Sequence, residues 1–264
     1  MWERETSSAT LSHPAIEEVR AGSTAPLFFQ LSVYGDRAWL EALVDRVERA
    51  GYAAICVTAD VSAYGRRERD LHNRHFPRLS AERPNLGVGA LVVPDMVNRD
   101  DYNAALTWDD IAWLRSRTSL PIMVKGVMTG EDATLAVEAG ADVVYVSNHG
   151  GRQLDHLPAT IEVLPEVCDA VRGRAEVFLD SGIVRGTDVV KALAFGASAV
   201  AIGKLMAWGL AAGGEDGLRR TMQLLQIEIR TTMANLGVSG ITDLDPGLLR
   251  PASAAAGSAW PADL

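Results

Sequence analysis

Cysteine is nearly absent from this chain: 264 residues contain two, Cys56 and Cys168. One lies in an apolar, strand-like run and the other in a segment with helical spacing. Such a pair makes neither a disulfide framework nor a zinc site, and it suits a reducing cytoplasm. Long hydrophobic runs are missing too. No apolar stretch approaches the roughly 20 residues that span a bilayer, so no membrane segment is expected. The start, Met1-Trp2-Glu3-Arg4-Glu5, lacks the apolar core of a signal peptide. Positive charge is in deficit. Lys and Arg number 25 against 34 Asp and Glu, for a formal charge of −9. With no basic stripe, nucleic acid is excluded as an expected partner.

Hydrophobic residues make up 48% of the chain, and the mean hydropathy is slightly positive at +0.06. That supports one core of the size common in α/β barrels, so residues 1–264 read as a single domain. From residue 27 onward, short apolar runs alternate with amphipathic segments. Strands are expected near 27–33, 53–59, 121–125, 142–147, 176–180 and 198–203. Helices are expected near 37–50, 108–117, 131–139, 160–171, 187–195 and 216–236. Asp36 suits an N-cap, Trp39, Leu40, Leu43, Val44 and Val47 recur on one face, and Gly51 suits a left-handed C-cap. Thr129, Asp132 and Gly140 repeat the scheme. Alternation of this kind implies a parallel sheet, with strands apolar throughout because both faces are buried. Residues 1–20 read as an irregular start, 61–106 as a long loop over the active-site mouth, and 251–264 as a disordered tail.

The chemistry concentrates in Ser147-Asn148-His149-Gly150-Gly151-Arg152-Gln153-Leu154-Asp155, just past the apolar run 141–146. A base and a cation beyond a strand's C-terminal end sit where parallel α/β proteins bind ligands. The pair suits proton abstraction from a carboxylate-bearing substrate: the guanidinium clamps, the imidazole accepts a proton near neutral pH. Lys125 ends another strand, and reads either as a solvated charge or as a side chain facing the same mouth. Asp180-Ser181-Gly182-Ile183-Val184-Arg185-Gly186 and Ala201-Ile202-Gly203-Lys204 follow two later strands. Glycines and cations there read as ordinary βα turns or, taken together, as a phosphate site. Asp60 could serve the site or merely cap the segment after it. Of the adjacent Arg66 and Arg67, at most one faces the site. His13, His72, His75 and His156 lack such context and read as surface or loop residues.

These segments, with Phe28-Phe29-Gln30-Leu31, Val57-Thr58-Ala59-Asp60, Gly65-Arg66-Arg67-Glu68 and Leu120 to Val127, resemble the FMN-dependent α-hydroxy acid oxidase/dehydrogenase family. That family includes glycolate oxidase, lactate oxidase and mandelate dehydrogenase. The similarity runs over roughly residues 20–245. It implies a (β/α)8 TIM-barrel fold, FMN as cofactor, a small 2-hydroxy acid as substrate and a homo-oligomer. His149 would be the base and Asp60 would stabilise its protonated form. Arg152 and Arg67 would bind the substrate carboxylate. Lys125 would lie at the flavin N1–O2 edge, with Gln30 and Thr58 hydrogen-bonded to the isoalloxazine and Ser147 among the cofactor-binding residues. Asp180 would hold the ribityl chain, and Gly182, Arg185, Gly203 and Lys204 the phosphate.

The chain departs from the family in places. About six of the eight strands are countable, which reads as an N-terminally truncated barrel. Residues 1–20 look too few and too polar to supply two more βα units. Ser32 stands where the family has a tyrosine, Val184 where it has an arginine, and Val61 where it has a threonine. Two other readings stay open: a non-catalytic or partner-requiring remnant, and a related FMN barrel such as type 2 isopentenyl diphosphate isomerase. The His149/Arg152 pair argues against the latter, because a diphosphate needs no carboxylate clamp.

Overall fold

Every apolar run expected as a strand forms one, and each pairs in parallel with the next. A computed structural model describes residues 6–63, 65, 67–74, 84–86 and 106–250. The sheet has the order β1-β2-β3-β4-β5-β6-β7. Its strands are β1 (Thr6–Ala9), β2 (Leu27–Leu31), β3 (Ala54–Thr58), β4 (Ile122–Val127), β5 (Val143–Val146), β6 (Glu176–Leu179) and β7 (Ala199–Val200). The helices are α1 (Ile16–Ala21), α2 (Arg37–Ala50), α3 (Glu68–His72), α4 (Trp108–Arg115), α5 (Gly130–Glu138), α6 (Thr160–Val171), α7 (Gly186–Ala194) and α8 (Lys204–Leu236).

Strictly sequential parallel order has a geometric consequence. Each crossover turns the same way, so the helices collect on one face and the sheet curls around the other. Two apolar clusters reflect this. The larger joins outward strand residues such as Phe29, Leu31, Ile55, Val57, Val124 and Leu179 to the helices. The smaller gathers inward residues: Ala54, Cys56, Met123, Val143 and Tyr145, with Phe28 and Phe178 packed against them. Barrel architecture is thereby borne out.

The expected caps form as read. The Asp36 side chain accepts from the Trp39 N–H, and Gly51 sits at φ 81°. Thr129 accepts from the Asp132 N–H at 3.1 Å. Three differences stand out. Residues 6–21 hold one βα unit, β1 and α1, where an irregular start over 1–20 was expected. Its register is Thr6↔Leu27 through Ala9↔Gln30; a four-residue polar strand carries no alternation signal, and pairing along β2 supplies the order its sequence lacks. Helix α8 begins at Lys204, well before the expected 216. The glycines that hid its first half, Gly213 and Gly214, take non-helical φ/ψ and kink it. The expected loop 61–106 contains the short helix α3; its residues 64, 66, 75–83 and 87–105 lie outside the described residues, as does the expected tail 251–264.

Candidate active site

Strand periodicity builds the site. Side chains two apart share a face, so the apolar interior layer is followed, two residues on, by a polar one. Phe28 leads to Gln30, Cys56 to Thr58, Met123 to Lys125, Tyr145 to Ser147 and Phe178 to Asp180. Register sets them side by side: Gln30 lies opposite Cys56, Thr58 opposite Lys125 and Lys125 opposite Tyr145. The polar layer therefore caps the barrel interior at the C-terminal ends of the strands.

Its members are bonded to one another. The Gln30 amide donates to the Thr58 hydroxyl and to Ser32 Oγ at 3.1 Å. Lys125 Nζ donates to Ser147 Oγ at 2.7 Å and lies 3.3 Å from Asp180 Oδ2. Ser147, fully buried, also accepts from the His149 N–H at 3.1 Å. Asp180 Oδ1 accepts from Ser181 Oγ at 2.7 Å, and Ser181 Oγ accepts from the Gly150 N–H at 2.9 Å. A closed circuit thus grips the His149–Gly150 backbone from two strands. His149 itself takes φ 57°, a left-handed conformation that costs energy in a non-glycine residue and needs such bracing.

The imidazole is held as firmly as its backbone. His149 Nδ1 lies 3.1 Å from Asp60 Oδ2 and 3.2 Å from Oδ1. An acceptor carboxylate at Nδ1 selects the tautomer with the proton there, so Nε2 keeps its lone pair. The Asp60 carboxylate thus faces the imidazole. Beneath it, Gly126 takes φ 112°, and a Cβ there would fall 2.6 Å from Asp60 Cβ. The β4 register shift between Lys125 and Val127 is how the chain turns there, with Lys125 on the inner face.

Below the polar layer, burial pushes the Cys56 thiol up to about 12, with the Lys125 charge pulling the other way. Burial, then the nearby Asp180 carboxylate, pushes the Tyr145 phenol up, so it stays neutral. Lys125 Nζ stands 5.5 Å from that ring's centroid.

Arg67 NH2 donates to Gln153 Oε1 at 2.7 Å, which brings Arg67 to the His149 loop. Arg152 is on that loop with an exposed side chain. Lys204 Nζ donates to the Gly150 carbonyl at 2.6 Å. A Cβ at Gly182 or Gly203 would meet nothing within 4 Å, so open space adjoins both. Arg185 is placed differently: its guanidinium pairs with Glu228 of α8 at 2.8 Å, and Glu228 also accepts from the Gly186 N–H at 2.7 Å. The described histidines outside the site, His13, His72 and His156, are exposed as expected. Val184 is 45% exposed. Gln153, Ser181, Gly65 and Gly126 were not singled out by sequence, although each adjoins a residue that was.

The site's residues fit FMN. Amide and hydroxyl groups (Gln30, Thr58, Ser147) suit a polar ring edge, an ammonium (Lys125) a developing negative charge, and a carboxylate (Asp180) hydroxyl groups. Glycine backbone with open space beside Lys204 and the α8 N-terminus suits a phosphate.

Comparison with known proteins agrees. The profile of the FMN-dependent dehydrogenase family matches residues 6–251. An L-lactate oxidase of Nostoc sp. is 44% identical over 254 residues, spanning 91% of this chain and 70% of its own length. A peroxisomal (S)-2-hydroxyacid oxidase of Arabidopsis thaliana is 49% identical over 243 residues, spanning 89% of this chain and 66% of its own length. Among solved structures, a soluble mutant of the membrane-associated (S)-mandelate dehydrogenase from Pseudomonas putida superposes with a TM-score of 0.83 at 37% identity, covering 93% of this chain and 71% of that one. A lactate oxidase of Pediococcus acidilactici gives 0.82 at 36%, covering 91% and 65%. The chain spans about two thirds of the length of these relatives. With the profile covering every described residue, the chain belongs to the FMN-dependent dehydrogenase family.

Proposed function

We infer that this protein oxidises a small 2-hydroxy acid to the 2-oxo acid, with FMN as electron acceptor. The observation that carries the reading is the His149 Nδ1–Asp60 pair at 3.1 Å. It leaves Nε2 as proton acceptor and sets a carboxylate to stabilise the imidazolium that forms. Arg67 and Arg152 take the substrate carboxylate, since a guanidinium binds one through two parallel N–H donors. FMN, when bound, supplies the two-electron sink that side chains lack. Gln30, Thr58 and Ser147 serve its ring and Lys125 the charge at its N1–O2 edge. Asp180 takes the ribityl hydroxyls, and Gly182, Gly203 and Lys204 the phosphate. Arg185 would have to leave Glu228 to join them. Trp208, Leu210 and Ile227 of α8, between 43% and 58% exposed, support a homo-oligomer. Two free cysteines support a cytoplasmic setting, and no described helix is long and apolar enough to cross a membrane.

The test is an FMN titration followed by anaerobic mixing with L-lactate, glycolate or (S)-mandelate. Saturable one-to-one binding and bleaching of the flavin by one acid are expected. His149→Gln should keep FMN and slow bleaching by about 10²–10⁴-fold. Binding without bleaching by any of the three overturns the substrate reading. No binding overturns the cofactor reading.

A further inference from the structure

We propose that Gln153 is a positioning residue that sets the Arg67 guanidinium and the Asp60–His149 pair in one frame. This deepens the hydroxy-acid reading of the site and rests on it.

All four directions of the Gln153 amide are used, and all reach the segment after β3. Oε1 accepts from Arg67 NH2 at 2.7 Å and from the Gly65 N–H at 3.3 Å. Nε2 donates to the Asp60 carbonyl at 3.0 Å and to the Ala63 carbonyl at 3.0 Å. Two donors on one side and two acceptors on the other define the amide's orientation without ambiguity. The two segments also meet backbone to backbone. A Cβ at Gly65 would fall 2.2 Å from the Arg152 carbonyl oxygen and 2.7 Å from that of Gln153.

The consequence is geometric. His149 and Gln153 share one loop; Asp60 and Arg67 share the other. The His149–Asp60 contact fixes one point between the loops, and the approach of Gly65 to the Arg152 and Gln153 backbone fixes their spacing. Gln153 adds a contact that is directed at a side chain, that of Arg67, the residue assigned to the substrate carboxylate. Without the amide, the clamp loses its register with the base. Neither a glutamate nor an apolar side chain can replace it, because the site calls for donors and acceptors on opposite edges of one group.

Oxalate, a carboxylate that cannot be oxidised by this route, probes the clamp by calorimetry on the FMN-loaded protein. Q153M keeps the side-chain length and removes the amide. Oxalate Kd should rise about 10- to 100-fold, the effect of one lost hydrogen bond to a charged group. KM for L-lactate should rise with it, kcat should fall less, and the thermal midpoint should stay within a few degrees. R67K, which keeps the charge and loses the fork, supplies the second arm of a cycle. Adding Q153M to R67K should weaken oxalate less than twofold further, since the shared contact is already gone. Should Q153M fail to fold, Q153N, one methylene too short to bridge, takes its place. An unchanged oxalate Kd overturns the proposal, as does an equal loss in the wild-type and R67K backgrounds. Oxalate binding with the expected coupling but no turnover of any hydroxy acid overturns the substrate reading and leaves the positioning role standing. No oxalate binding by the wild-type protein overturns both.

Discussion

Gly126 and Gly151 both take positive φ, 112° and 69°, yet they carry different loads. A Cβ at 151 meets nothing within 4 Å, whereas one at 126 runs into the Asp60 side chain and backbone. Gly151→Ala should therefore cost only the conformational penalty, about 1 kcal/mol. Gly126→Ala should cost more, about 1–3 kcal/mol for strain plus displacement of the carboxylate that faces His149. Urea unfolding of the two variants measures the difference; equal losses would show that the approach of Asp60 carries no weight. The cysteines give a second check at this scale. Burial holds Cys56 up to about 12, and burial with the Asp169 charge holds Cys168 up to about 11. At pH 8 the thiolate fractions are on the order of 10⁻⁴ and 10⁻³, and the thiolate is the reactive form. Native protein should resist iodoacetamide over a period in which the denatured chain takes up two labels. Rapid native labelling of Cys56 would mean that the barrel interior is open to solvent.

At the scale of elements, α1 is held less by its own sequence than by what it touches. Six residues are too few for an independent helix. Ile16 is fully buried, its N–H donates to Asn85 Oδ1 at 2.9 Å, and its carbonyl accepts from the Tyr52 hydroxyl at 3.1 Å. Arg46 of α2 grips Glu17 with both prongs, at 2.6 and 2.7 Å. That hydrogen bonding lowers the Glu17 carboxyl below its ordinary 4.5, against a smaller effect of burial. A depressed folded-state value means that the unfolded chain binds the proton more readily. The pair's contribution is present above 4.5 and fades as the pH falls through the lower folded value. Glu17 is half exposed, so solvent screening keeps the contribution below about 1 kcal/mol. Glu17→Gln should flatten the acid side of the stability profile by that amount and leave stability near neutrality lower by the same amount. An unchanged acid slope would mean that the ion pair is energetically silent.

For the whole molecule, the residues proposed to hold FMN lie at the ends of β2 to β7, and no two neighbouring strands contain them. Binding FMN should therefore stabilise the sheet as a unit. At a hundredfold excess over Kd the gain is about 2.7 kcal/mol, a rise of several degrees in Tm for a chain of this size. Calorimetry with and without FMN measures it. A Tm that FMN leaves unchanged, despite binding, would mean that the site forms in a part of the sheet that does not limit unfolding.

The sequence alone determined the six principal strands, most of the helices, their caps and the polar residues at the strand ends, because all of these follow from local rules. Period-2 and 3.6 spacing, cap chemistry and glycine at left-handed positions need no partner to be read. The run from Ser147 to Asp155 likewise carries its own chemistry. Tertiary structure decided the rest, because the rest consists of relations between distant segments. Strand β1 exists by pairing with β2, and α8 continues through two glycines. Asp60 became the partner of His149 because the two loops meet above Gly126. Arg185 was drawn to Glu228, 43 residues along the chain, by the packing of α7 on α8. Gln153 had no visible role until the fold brought Asp60, Ala63, Gly65 and Arg67 around its amide. A hydrogen-bonding side chain declares its type in the sequence, but its partner is a property of the closed fold.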